Sequence, residues 1–98
     1  MAISFADRVA AAPDVMFRAV GEEAVLLNLN TELYLGLDPV GTRMWNALIA
    51  SDSIQSAYDS LLSEYEVKPD QLRTDVEELI GKLIEQGLVE VGPAAVAG

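Results

Sequence analysis

The chain has 98 residues, of which 51% are hydrophobic, and it carries 16 acidic and 6 basic side chains for a net charge of -10. This length fits one compact domain, and the apolar content supports a folded core, which excludes two domains and compositional disorder. The sequence contains no Cys and no His, which excludes disulfides, thiolate metal sites and histidine-based catalysis. A protein with this net negative charge also repels the phosphate backbones of nucleic acids and anionic membranes.

The first part of the predicted domain, residues 15–91, shows strand and turn patterns. Apolar runs at 15–20, 24–29 and 33–37 are separated by short segments rich in Gly, Glu and Asn. Runs of this length with turn residues between them are typical of strands. Because the connections are short, we predict an antiparallel meander in which the first and third strands are edges.

A helical period follows the three strands. Asp38 precedes Pro39, which predicts an N-cap and a first helical residue. Asp52 and Gln55 have capping-box spacing at the start of a second helix, and a third helix begins at Pro69. Three strands followed by three helices predict an α+β domain, winged helix-turn-helix-like, with the helices packed on a small antiparallel sheet.

The two ends of the chain carry weaker signals. Residues 1–14 are predicted to form an extended N-terminal arm, and residues 92–98 a flexible tail. The N-terminus lacks a basic start followed by a continuous apolar stretch, and no apolar run approaches the ~20 residues of a membrane span. Together with the absence of Cys, these features favour a cytoplasmic protein without membrane contact.

The third predicted strand, Leu33 to Leu37, is an undefended edge. It has no Lys and no Pro, which proteins commonly place on edges to stop another chain from pairing there. Gly36 allows close approach of a second backbone, and Tyr34 should face away from the strand's leucines and contact a peptide. The strand therefore suits β-augmentation by an extended peptide. The alternative is that a loop, the N-terminal arm or a second copy covers this edge.

The third helix has an apolar stripe about 140° wide, broader than one core contact needs. Its centre is formed by Leu72, Leu79 and Leu83. One margin is widened by Val76, Ile80 and Ile84, and it is bordered by Arg73 and Glu77. We predict that this margin is partly exposed and forms the wall of an apolar groove beside the third strand. The alternative is a larger core contact.

The residues also resemble a known family. The stretches that carry the resemblance are VLLNLNTELYLGLDPVGTRMWNAL, SLLSEYEV and DVEELIGKLIEQGLVEV. They are similar to the PqqD-like family, the leader-peptide-recognition domains of pathways that modify ribosomally made peptides. The resemblance covers roughly residues 15–91. Its most specific parts are Tyr34 to Leu37, Val40-Gly41 with Met44-Trp45, and Leu83 to Leu88.

The resemblance implies a non-catalytic adaptor that binds the leader of a precursor peptide as an added strand and presents it to a separate modifying enzyme or leader peptidase. It implies no cofactor, no metal and no catalytic residue. The family serves quinone cofactor synthesis, lasso peptides and other radical- or ATP-driven modifications, and the resemblance leaves the choice among them open. The chain resembles the free-standing members, including those of lasso-peptide pathways that work with a separate leader peptidase and a cyclase, and a monomer or weak dimer is expected. The implied peptide-binding residues are Leu33, Tyr34, Leu35, Gly36, Arg73, Val76, Glu77, Ile80 and Ile84.

Two other functions are compatible with the order of the elements. A winged-helix DNA-binding regulator would share it, but a recognition helix needs Lys and Arg. The third helix offers only Arg73 and Lys82 among several acidic residues. A structural subunit that dimerises or docks on an enzyme through its edge strand is the other alternative.

Overall fold

The computed structural model describes residues 4–93 of the chain. Its elements in chain order are β1 (Asp7–Ala11), β2 (Val15–Val20), β3 (Glu23–Asn28), β4 (Tyr34–Leu37), α1 (Pro39–Ala50), α2 (Ile54–Glu64), α3 (Pro69–Glu85) and β5 (Val89–Pro93). The predicted α+β class is confirmed, since three helices follow an antiparallel sheet of β2, β3 and β4. Most of the predicted tail lies outside the described residues, but Gly92 and Pro93 belong to β5.

The three-stranded sheet has β3 at its centre and β2 and β4 at its edges. Its register aligns Phe17 with Leu26 and Leu26 with Leu35. Because side chains alternate along a strand, these residues share one face, on which Leu26 and Leu37 are buried. Helix α1 contacts β3 and β4, so this inner face joins the core while the other face stays uncovered by any element within residues 4–93.

The described part of the N-terminal segment is integrated into the domain. Strand β1 pairs antiparallel with β5, with Val9 opposite Val91. Val9 is buried, and so is Phe5, whose ring meets that of Tyr58 edge-on at 5.7 Å between centroids. The predicted boundary at residue 15 is therefore corrected. Strand β1 lies before that boundary, yet it belongs to the same core as the rest of the domain.

Helices α1 and α2 each begin after a residue whose side chain caps the first turn. The Asp38 side chain accepts a hydrogen bond from the Gly41 backbone N–H at 2.6 Å, as the sequence predicts. The predicted cap of the second helix is wrong by one residue. Ser53, not Asp52, is the N-cap, and its hydroxyl accepts from the Ser56 N–H at 3.1 Å. Ile54, the first residue of the helix, is fully buried.

One continuous core joins the inner face of the sheet, the helices and the β1–β5 pair. Trp45 and Tyr58 are buried in it. The Trp45 ring stacks on Phe17 with centroids 6.2 Å apart, and the Tyr58 hydroxyl donates to the Pro69 carbonyl at 2.9 Å. Across residues 4–93, none of the helices is long and apolar enough to cross a membrane.

Candidate functional site

The free edge of β4 offers unpaired backbone groups. Within residues 4–93, β4 pairs with β3 alone, and the N-terminal strand β1 pairs with β5 instead of covering this edge. The Asn28 N–H donates to the Leu33 carbonyl at 2.9 Å, which fixes which residues face β3. Since the direction of backbone groups alternates in an antiparallel ladder, those of Leu35 point to β3, whereas those of Tyr34 and Gly36 point outward.

The side chains along this edge are accessible. Tyr34 is 71% exposed on the outer face of the sheet, and Leu33 is 52% exposed just before the strand begins. Leu35 is half-buried on the inner face. Gly36 faces open space, because a Cβ added there would meet nothing within 4 Å. A second extended chain therefore has both backbone partners and room beside β4.

A groove lies beside this edge, between β4, the start of α1 and α3. Its volume is about 250 Å³, and its lining residues are Leu35, Gly36, Leu37, Asp38, Gly41, Leu79 and Lys82. Leu79 is half-buried and so presents apolar surface to the groove. Lys82 supplies the one cationic group among the lining residues. The groove is thus an open surface groove of mixed polar and apolar lining, next to the free backbone groups of β4.

A buried amide links the turn before β4 to the end of α3. Asn28 ends β3 and is 6% exposed. Its side-chain N–H₂ donates to the Gln86 and Gly87 carbonyls, both at 3.2 Å, and its Oδ1 accepts from the backbone N–H groups of Asn30 and Thr31 at 2.9 and 3.2 Å. The turn leading into β4 is therefore fastened to the end of α3. This role of Asn28 was not predicted from the sequence, although a polar residue at the end of an apolar run is a usable signal for it.

The structure corrects the predicted groove wall. Val76 and Ile80 were expected to be partly exposed, yet both are 0% exposed. They are buried because α3 packs against α2 and β5 as part of one core. These contacts cover most of the wide apolar stripe of α3. Neither side chain offers surface to a ligand in this structure.

The remaining predicted residues of the margin lie on the far side of α3 from the groove. The Arg73 guanidinium sits over the Phe5 ring, 4.1 Å from its centroid, and its Nε lies 3.8 Å from a Glu77 carboxylate oxygen. Ile84 is half-buried against the core, about 140° around the helix from Leu79. The structure thus brings Leu35 and Gly36 together with Leu79 and Lys82, and not with Arg73, Glu77 or Ile84.

The described residues show no group of three or more acidic side chains placed to hold a metal ion. The groups that line the site are the outward backbone groups of β4, the Leu35 and Leu79 side chains, and the charged side chains of Asp38 and Lys82.

These features define a small α+β domain whose sheet has an open edge beside its last helix. The family model for coenzyme PQQ synthesis protein D (PqqD) matches residues 23–89. The chain belongs to this family, and the resemblance found in its sequence is confirmed.

Two solved structures are similar to this chain. One, described as TbiB1 in complex with the TbiA(beta) leader peptide, is 28% identical with a TM-score of 0.77, and the match covers 91% of this chain and 99% of that one. Another, described as lasso peptide synthetase B1 complexed with the leader peptide, is 22% identical with a TM-score of 0.73 over 85% of this chain and 98% of that one, and supports the fold. No curated protein matches the chain.

Proposed function

We propose that this chain is a non-catalytic adaptor that binds the leader region of a ribosomally made precursor peptide. The observation that carries the proposal is the juxtaposition of the unpaired β4 edge with the groove to which Leu35 and Leu79 contribute apolar surface. Membership of the PqqD family and similarity to a chain described as complexed with a leader peptide support it. Main-chain pairing would supply affinity and the groove would supply selectivity.

The leader adds to the sheet as a strand beside β4. Its backbone pairs with the outward groups of Tyr34 and Gly36. Because successive side chains of a strand point to opposite faces, one set enters the groove between Leu35 and Leu79, and the other lies beside Tyr34 on the outer face. The proposed site keeps the predicted edge residues and takes its helical wall from Leu79 and Lys82.

The adaptor presents the bound precursor to a separate modifying enzyme or leader peptidase. The similar structures favour a lasso-peptide pathway, since one is described as a lasso peptide synthetase B1. The recognition step uses hydrogen bonds and apolar burial, and it requires no cofactor. The chain acts as a monomer or weak dimer in the cytoplasm, where the precursor peptide is made.

A DNA-binding role is not favoured by the charge distribution. Residues 64–90, which contain α3, carry eight acidic and three basic side chains, a net charge of -5. A helix that docks in a groove of DNA needs cationic side chains to neutralise phosphates. A purely structural role through the edge strand would require β4 to be covered by another protein even in the absence of leader.

The experiment that tests the proposal compares Gly36→Pro with Gly36→Ala. Proline removes the outward N–H of residue 36, and edge strands tolerate it because that group takes no part in their own ladder. The lost bond leaves a leader carbonyl unpaired, which costs about 1–3 kcal/mol, roughly a 5- to 150-fold weaker affinity. Alanine keeps the N–H and meets open space, so its affinity should stay within about twofold of wild type.

Both variants are titrated with a fluorescently labelled cognate leader, and thermal melts verify that each is folded. In the wild-type protein, the Tyr34 and Gly36 amide NMR signals should shift on leader addition. Strand addition to β4 is refuted if folded Gly36→Pro binds as tightly as wild type and these two amides do not respond.

A further inference from the structure

The sheet has a second free edge, on the side opposite β4. Within residues 4–93, β2 pairs with β3 alone. The Leu29 N–H donates to the Asp14 carbonyl at 2.9 Å, which fixes the alternation of the ladder at this end. By that alternation the even-numbered residues of β2 pair with β3, whereas the backbone groups of Phe17 and Ala19 point away from it. Strand β2 therefore has N–H and C=O groups free for another chain.

This edge lacks the usual defences against strand pairing. The sequence of β2, VMFRAV, contains no Lys and no Pro, and its register with β3 runs without the skipped residue of a bulge. Its one charged residue, Arg18, neighbours Phe17 in the strand and so points to the other face of the sheet. Proteins commonly place charges, prolines or bulges on edges that must stay unpaired. Strand β2 is thus an open template.

A groove lies beside this edge, between β2, the first half of α1 and the residue that caps the end of α2. Its volume is about 530 Å³, roughly twice that of the groove beside β4. The Phe17 and Val40 side chains in its lining are 39% and 46% exposed. The Phe17 ring stacks on the buried Trp45, so it is held in place beside the groove. A segment paired with β2 would find apolar surface next to the strand groups.

The charges at the groove are unequal. Glu22 lies in the turn between β2 and β3 and is exposed, and it has no ion pair within residues 4–93. Arg43 also lines the groove, but its Nε lies 2.9 Å from a Glu64 carboxylate oxygen, which neutralises it. The free charge of the lining is therefore negative. Complementary charge on a partner gives specificity, so the groove suits a segment that carries Lys or Arg.

We propose that the β2 edge and its groove form a second site for strand addition, which binds an extended segment of a partner protein other than the precursor. The segment pairs with the outward groups of Phe17 and Ala19. Its alternate side chains are apolar and cover Phe17 and Val40, and a Lys or Arg lies near Glu22. This inference goes beyond the proposed function and does not depend on it, because the two edges lie on opposite sides of β3.

The charge of the whole chain favours a different protein over a second copy. Two copies would each bring a net charge of -10, and that repulsion opposes self-association. Pairing of β2 with β2 of another copy would also bring two unpaired Glu22 carboxylates to one interface. A neutral or basic segment avoids both costs.

The test selects a phage-displayed library of random 12-residue peptides on the purified wild-type chain. Synthetic copies of the binding peptides are then titrated into isotope-labelled protein. We expect a set of peptides that shifts the amide NMR signals of Phe17 and Ala19 and leaves those of Tyr34 and Gly36 unchanged. These peptides should alternate apolar side chains and carry Lys or Arg more often than Asp or Glu. The inference is overturned if none of the binding peptides shifts the Phe17 and Ala19 amides.

Variants then test the pairing and the charge. Ala19→Pro removes an outward N–H and should weaken these peptides at least fivefold, whereas Ala19→Ser keeps it and should bind within twofold of wild type. Glu22→Lys, in the exposed turn, should weaken them at least threefold even if Ala19→Pro melts early. Gly36→Pro, which alters the β4 edge, should bind them like wild type. Equal affinity for wild type, folded Ala19→Pro and Glu22→Lys would refute the second site.

Two further measurements separate the other occupants. Sedimentation of the wild type should show no dimer that Ala19→Pro dissociates; such a dimer would assign the edge to a second copy and overturn the inference. Leader affinity should stay within twofold of wild type in Ala19→Pro and Glu22→Lys, and a leader that shifts the Phe17 amide would also overturn it. Failure of the leader to bind at all would refute the proposed function, while the selected peptides would still report on β2.

Discussion

Leu79 and Ile84 form a matched pair for locating the peptide site. Both are half-buried aliphatic residues of α3 that pack against the core, but only Leu79 lines the groove beside β4. We predict that Leu79→Glu strongly weakens leader binding and that Ile84→Glu does not. The margin predicted from the sequence alone includes Ile84, and it implies that Ile84→Glu weakens leader binding more than Leu79→Glu does. The two variants therefore distinguish the site predicted from the sequence from the groove seen in the structure.

The magnitude follows from what the leader would cover. Full burial of a leucine side chain contributes about 1.5–3 kcal/mol, and Leu79 is already half-buried, so the leader gains about 1 kcal/mol by covering the rest. Leu79→Ala should therefore weaken binding roughly fivefold. Glutamate adds the cost of covering a carboxylate with an apolar side chain of the leader, which brings the loss to roughly 2–4 kcal/mol, or about 30-fold and more.

Fluorescence anisotropy with labelled leader measures binding, and thermal melts measure folding of the same samples. Ile84→Glu should bind within about threefold of wild type when both are folded. Ile80→Ala provides the stability reference, because Ile80 is fully buried and its truncation should cost about 2–5 kcal/mol. Equal losses of affinity in Leu79→Glu and Ile84→Glu at equal stability would show that the groove is not the leader site.

Three further outcomes can be measured on the same protein. Asn28→Ala should lower the free energy of unfolding by about 2–4 kcal/mol, because the buried amide makes bonds to both the turn and the end of α3; an unchanged urea midpoint would contradict this role. Gly87→Ala should cost about 1–2 kcal/mol, since residue 87 has φ +67° and a Cβ would lie 3.1 Å from Asn28 Nδ2; a melting temperature equal to wild type would contradict it. Leader affinity should fall only a few-fold between about 50 and 200 mM salt, and duplex DNA should show no saturable binding; a DNA complex that survives at physiological salt would restore the regulator alternative.

The main sheet and the helices could be predicted because their signals are local. The apolar run of β2, the Asp38 cap and the proline at the start of α3 each lie within the element they define. Strand β1 could not be predicted in the same way. Its sequence DRVAA carries little β character, and its partner β5 lies some 80 residues further along the chain, so only the folded core selects the pairing.

The strand side of the candidate site could be predicted from the sequence, whereas its helix side could not. The edge character of β4 follows from strand order and from the residues of the strand itself. An apolar helical stripe, by contrast, has two margins, and a sequence does not say which one faces the sheet. That choice depends on how α3 packs against α2 and β5, which places Leu79 at the groove and Arg73 beside Phe5.

The same packing separates this chain from a DNA-binding protein with a similar order of elements. Of the three basic residues between positions 64 and 90, Arg73 is engaged by the Phe5 ring and Glu77, and Lys82 lies at the groove. Only Lys68 remains, which is too little to neutralise a run of phosphates. In the site that we propose, α3 contributes a wall that includes Leu79, and β4 contributes a strand template. The proposed function therefore rests on the open edge and its groove, because the winged-helix order of elements alone does not assign a function.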